Sequence, residues 1–159
     1  MALRSVTQFE IDALIVQAKK SDRKRKILRL HEHHEPVQRM VNALIPGTYI
    51  APHKHENPDK VELFTLLKGA VAILQFSATG GIEVIVKMEL SGIDRVIEIP
   101  PGTYHSIIPV VPSAVLEIIQ GPYNEKTHKQ FAPWAPREND PKSNDYLMYL
   151  TSIVHNWSN

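Results

Sequence analysis

The sequence predicts an all-β domain, a sandwich or barrel of short strands with one helix at each end. Three observations point there. Between Val37 and Ile119, apolar and β-branched residues come in short runs of strand length. Turn-forming pairs separate the runs: Pro46-Gly47, Lys68-Gly69, Gly80-Gly81, Ser91-Gly92, Pro101-Gly102 and Pro112-Ser113. Outside this stretch, at both ends, apolar residues recur at helical spacing instead.

Thr7 is a candidate N-cap with Glu10 three residues on, and Ile11, Leu14, Ile15 and Ala18 then form one apolar stripe, so a short amphipathic helix is expected to end near Lys20. Ser21 to Lys26 is basic, and Ile27, Leu28 and Leu30 start a strand. Strands follow at Val37 to Leu44, Tyr49 to Pro52, Glu62 to Leu67, Ala70 to Phe76, Ile82 to Met88, Arg95 to Ile99, Ser106 to Val110 and Ala114 to Ile119. After Gly121-Pro-Tyr123 comes a proline-rich segment, Phe131-Ala-Pro-Trp134-Ala-Pro136. Prolines lack a backbone donor, so this segment is expected to run over the surface. It is either a lid placing Tyr123 and Trp134 at the mouth of the barrel or a strap plugging the end of the core. From Asn144, Leu147, Leu150, Ile153 or Val154, and Trp157 make the stripe of a final helix. The expected organisation is one domain: residues 1–36 as a helix and basic segment packed on the barrel, 37–123 as the barrel, and 124–159 as strap and helix.

Composition narrows the function. At 159 residues and 43% hydrophobic, the chain has the size and apolar content of one domain with a proper core. A formal charge of +1, without interleaved aromatic and basic residues, argues against nucleic acid as a partner. No apolar run is long enough to span a membrane, Met1 to Asp12 lacks a signal-type core, and there is no cysteine. A cytoplasmic location is the expectation. The two apolar stripes exceed what a small barrel needs, so a homodimer is expected.

The chemistry concentrates in a few residues. His53 and His55 lie one residue apart, and strand side chains alternate, so both rings project to one face. Glu62, seven residues on, and His105, just after Pro100-Pro-Gly102, would complete a shell of three imidazoles and one carboxylate. That donor set suits one divalent transition metal ion: Fe, Mn, Ni, Co or Zn. An ion-pair role for Glu62 is the alternative.

The order His-x-His, Glu, His resembles the two motifs of the cupin superfamily. Gly47, His53, His55, Glu62 and Gly69 fill the first motif, with a longer loop between His55 and Glu62 that contains Asn57-Pro58-Asp59. Pro100, Gly102 and His105 match the second, while Asp94 stands in place of its leading glycine and Pro109 in place of its closing asparagine. The resemblance implies the cupin double-stranded β-helix, a jelly roll. Further strings resemble the WbuC-type cupin fold metalloproteins: Arg23-Lys-Arg25 with His31, Val37-Gln-Arg39-Met-Val-Asn42, Gly121-Pro-Tyr123, and Lys129-Gln-Phe-Ala-Pro-Trp134-Ala-Pro136-Arg-Glu138. This likeness implies a metalloprotein in the setting of bacterial surface polysaccharides.

Around such a centre, Arg23, Arg25, His31, Arg39, Tyr123 and Trp134 are candidate substrate contacts, with a solvated basic face as the alternative for the two arginines. Glu62 or Tyr104 would shuttle a proton. Asn42 either lines the pocket or pairs with neighbouring strands, and His128 and His155 are expected to be exposed. The expected function is a cupin acting on a small polar molecule, by metal-dependent isomerisation or epimerisation of a sugar derivative. An Fe(II) dioxygenase and a non-catalytic ligand-binding cupin use the same ligands and remain alternatives.

Overall fold

The computed structural model describes residues 3–157. Helix α1 (Gln8–Lys19) opens the fold, and its Thr7–Glu10 capping box is formed in both directions. Ten strands follow: β1 (Arg25–Arg29), β2 (Val37–Leu44), β3 (His53–Lys54), β4 (Glu62–Lys68), β5 (Ala70–Phe76), β6 (Ile82–Glu89), β7 (Val96–Ile99), β8 (Tyr104–Pro109), β9 (Ser113–Gln120) and β10 (Gln130–Phe131). Helix α2 (Ser143–Asn156) ends it. The strands form two five-stranded sheets, ordered β1-β2-β9-β4-β7 and β10-β3-β8-β5-β6. All pairings within them are antiparallel.

Three apolar clusters fill the fold, and their order explains its amphipathic pattern. Between the sheets lie Leu44, Phe64, Leu66, Val71, Ile73, Met88, Ile99, Ile107 and Val115. On the outer face of the first sheet, α1 packs Ile11, Leu14, Ile15 and Ala18 onto Val41, Ala43 and Ala114. On the outer face of the second, α2 packs Leu147, Leu150 and Val154 against Ala72, Leu74 and Ile108. Strands β2, β5, β8 and β9 thus carry buried apolar residues on both faces because each is covered twice, once by the facing sheet and once by a helix.

Three expectations change. The stripes that motivated a homodimer are largely covered within the chain itself, where Ala18 and Leu150 are fully buried, so they no longer argue for a second copy. Trp157 lies beyond α2 and is exposed, outside the apolar stripe. Tyr49 to Pro52 is not a strand: pairing begins only at His53, and an additional short strand, β10, forms at a sheet edge where the proline-rich segment begins. Pairing is possible there because Gln130 and Phe131 precede the prolines and keep their donors. No helix among the described residues is long and apolar enough to cross a membrane.

Candidate metal centre

Short pairings place the ligands. His53 on β3 is the register partner of His105 on β8, which brings two imidazoles side by side with ring centroids 4.5 Å apart. His55 follows on the same side, its ring 5.1 Å from His53 and 5.5 Å from His105. Glu62, the first residue of β4, comes from the opposite sheet, where it pairs with Ile99 and Ile119. The turn before His105 depends on Gly102, whose φ of +73° is left-handed and whose N–H donates to the His55 carbonyl at 3.0 Å. That single bond ties the second histidine to the loop carrying the third.

All four side chains are at most 3% exposed, and their ligating atoms lie within 4.8 Å of one another. Each imidazole is fixed from behind. Nδ1 of His53 faces the Ala51 carbonyl at 2.9 Å, Nδ1 of His105 the Thr103 carbonyl at 2.9 Å, and Nδ1 of His55 the His128 carbonyl at 2.5 Å. A carbonyl only accepts, so each Nδ1 carries the hydrogen and each Nε2 presents a lone pair inward. Those lone pairs confront the Glu62 carboxylate, whose Oε2 is 2.8 Å from His105 Nε2 and 3.3 Å from His55 Nε2. Burial, followed by the Lys129 charge, drives His53 well below the usual imidazole value, so it is neutral. Acceptors face acceptors here: Nε2 of all three histidines and Oε2 of Glu62 are buried without a hydrogen-bond partner. Four orphaned lone pairs around one point fit a cation, because an ion turns each of them into a ligand.

The centre opens into a cavity of about 950 Å³ between the sheets, whose walls include His53, Glu62 and His105. Asn42 and Glu117 also line it. Asn42 Nδ2 donates to Glu117 Oε2 at 2.5 Å, so Asn42 both lines the cavity and bonds to the neighbouring strand β9. Burial pushes the Glu117 carboxyl up to about 8, and the neighbouring Glu62 charge adds to the effect, while Lys129 and Asn42 oppose it. Glu117 was absent from the sequence-based candidates, although a signal was there. Val115, Glu117 and Ile119 share the inward face of β9, and a carboxylate in an apolar stripe asks for a reason.

The remaining candidates divide. Arg23, Arg25, His31 and Tyr123 line the cavity. His31 is 7% exposed and its Nδ1 accepts from the Arg39 N–H at 2.8 Å. Arg39 itself turns away, pairing with Glu35 and donating to the Leu30 carbonyl at 2.9 Å. Tyr104 is off the cavity for the same reason that places His105 in it, since adjacent strand residues point to opposite faces. Its ring lies 5.9 Å from Trp134 and packs against the cluster under α2, so a proton shuttle through Tyr104 has no geometric support. Trp134 sits there too, 5.2 Å from Phe76. The tail therefore does both things expected of it: Tyr123 stands at the mouth and Trp134 plugs the core. His128 is not exposed. Its ring is 5.2 Å from His55 and 4.8 Å from Tyr123, and burial, then the Lys129 charge, pushes it down to about 3.

Arg23, Lys24 and Lys26 are exposed, as a solvated face would have them, but the two arginines are not free to hold an anion. Glu138 clamps Arg23 through two bonds of 2.7 Å and Arg25 through a third of 2.7 Å. Arg25 adds Thr48 Oγ1 at 3.1 Å and the Tyr49 carbonyl at 3.0 Å, so it fastens the strap to the barrel. Hydrogen bonds from Arg23, then those from Arg25, outweigh burial and hold Glu138 at about 2, against an ordinary value of 4.5. A depressed carboxylate stabilises the fold fully above its unfolded value and loses that contribution as pH falls toward the folded one. Glu138→Gln is accordingly expected to melt below wild type at neutral pH, with the gap closing between 4.5 and about 2. A gap that stays constant across that window would show that the clamp does not stabilise the fold.

The two layers, the inward side chains and the open cavity define a cupin-type double-stranded β-helix with a buried His-His-Glu-His group that could hold a metal ion. Residues 6–88 match the family described as Domain of unknown function (DUF6016), and the chain belongs to that family. No protein of curated function matches the sequence significantly. Among solved structures, an uncharacterized conserved protein with a double-stranded β-helix domain from Klebsiella pneumoniae aligns with a TM-score of 0.58 at 16% identity, over 82% of this chain and 98% of that one. A conserved protein of unknown function from Streptococcus pyogenes aligns with a TM-score of 0.51 at 15% identity, over 78% and 93%. The capsular polysaccharide assembling protein CapF from Staphylococcus aureus aligns with a TM-score of 0.53 at 22% identity, over 70% of this chain but only 32% of that one. At such identities the likeness is one of fold.

Proposed function

We propose that this chain is a metal-dependent enzyme that isomerises or epimerises a small polar molecule of the sugar-derivative class. One observation carries the reading: four buried, unpartnered ligand atoms converge beside an open cavity rather than in a sealed knot of side chains. A purely structural ion is closed off by protein groups, whereas a working one keeps access for a small molecule. When bound by His53, His55, Glu62 and His105, a divalent ion supplies Lewis acidity toward a carbonyl or hydroxyl oxygen. Glu117 is a cavity carboxyl that is neither a ligand nor held by the arginine clamp, and we assign it, in place of Tyr104, to holding and moving a proton on the oxygen that Asn42 leaves free, while the Asn42 bond to Oε2 orients it. The polar floor and the aromatic rim at Tyr123 suit a hydroxylated substrate. The strings that resemble WbuC-type cupins support a place in surface-polysaccharide metabolism.

The test begins with protein purified without a nickel column, its metal determined by elemental analysis and its co-purified ligand by mass spectrometry. Sugars of that class are then incubated with it in D₂O. Enediol chemistry washes deuterium into the carbon next to the carbonyl, and Glu117→Gln is expected to slow the exchange by about 100-fold or more with metal content unchanged. Oxygen uptake by an iron-loaded protein, without deuterium wash-in, would replace this reading with a dioxygenase.

A further inference from the structure

We propose that the cavity carries an anion-binding subsite formed by Lys129 and Arg137, with Arg29 at its rim, which selects substrates bearing a carboxylate or phosphate; this deepens the proposed function and rests on it. The clamp geometry leads there. Among the cavity's cationic side chains, Arg23 and Arg25 are consumed by Glu138. Lys129, Arg137 and Arg29 line the same cavity, and none of them has an ion-pair partner among the described residues.

Lys129 and Arg137 are placed rather than trailing. Lys129 immediately precedes β10, whose Phe131 is the register partner of the ligand His53. Arg137 lays its guanidinium 3.9 Å over the Phe131 ring, and that ring is 6.1 Å from His53. The stack fixes the planar fork of Arg137 against Phe131, and no carboxylate pairs with it among the described residues, so its donors are free for a bidentate oxyanion. Glu125 also lines the cavity and is exposed, as are Arg29 and Arg137, so three cations against one unpaired carboxylate leave this part of the wall net positive. Unpaired cations gathered over a cationic centre repel one another, and an anionic ligand relieves that repulsion.

The experiment titrates glucose, glucuronate and glucose 6-phosphate into wild type, Lys129→Gln, Arg137→Gln and Arg137→Lys at low salt, with metal content measured on every sample. At least one of the two anions is expected to bind wild type about tenfold or more tighter than glucose, and which one does so separates carboxylate from phosphate. Each Gln variant is expected to lose about tenfold in that affinity, with Arg137→Lys between them because it keeps charge but not the fork. Binding to wild type should weaken with added salt, a readout independent of how any variant folds. Equal affinity for glucose and both anions, or unchanged affinity in both Gln variants, overturns the subsite. If wild type lacks metal yet shows the anion pattern, only the metal reading fails; if metal is stoichiometric and the pattern is absent, only the subsite does.

Discussion

His105→Ala is expected to abolish stoichiometric metal binding and, in metal-sufficient buffer, to lower the melting temperature by several degrees. The centre is built so that each imidazole is committed: Nδ1 is held by a backbone carbonyl and Nε2 has nowhere else to bond. Removing His105 takes away one ligand and also the group whose Nε2 sits 2.8 Å from Glu62. An ion bound only by the native state adds roughly 2.7 kcal/mol at a hundredfold excess over its dissociation constant. For a chain of this size that corresponds to a melting shift on the order of 5–10 °C. Chelator treatment should lower wild type by a similar amount and leave the variant nearly unmoved. Elemental analysis together with melts with and without chelator checks it. A His105→Ala protein that retains one ion per chain would refute the ligand assignment.

Leu150→Ala is expected to cost about 3–4 kcal/mol, since large-to-small substitutions at fully buried sites combine lost transfer energy with a cavity. Leu150 is 0% exposed and lies in the cluster with Leu74, Phe76 and Ile108, beneath α2 and on the outer face of the second sheet. The same helix was expected from its stripe to compete between core packing and a subunit interface. If α2 belongs to its own chain, denaturant melts of Leu150→Ala shift by that amount at every protein concentration. A loss of stability that disappears at high concentration would instead place the stripe between chains.

How much of this was legible follows from how local each signal is. The α1 cap, the strand from Ala70 to Phe76 and the start of α2 are written in spacings of a few residues, and the structure places them where those spacings do. The ligand set was legible for the same reason, because two side chains one residue apart and a histidine after a Pro-x-Gly turn are local patterns. Longer-range facts were not. Arg23 and Arg25 read as a free basic patch because their partner, Glu138, lies more than 110 residues away. His128 read as exposed because nothing nearby in the chain covers it. Tyr104 read as a site residue because it adjoins His105, although strand alternation carries it to the other face.

By itself the sequence determined the β-rich class, the two flanking helices and the four residues that cluster at the candidate metal centre, since periodicity and turn chemistry act over a few residues. Only the tertiary structure decided what those residues face. It brought Glu62 across from the other sheet, set the His128 carbonyl behind His55 through a strap 73 residues further on, and turned Glu117 into the cavity. Burial, lone-pair direction and charge neutralisation depend on groups converging from distant parts of the chain, and no local pattern of residues encodes which distant group will arrive.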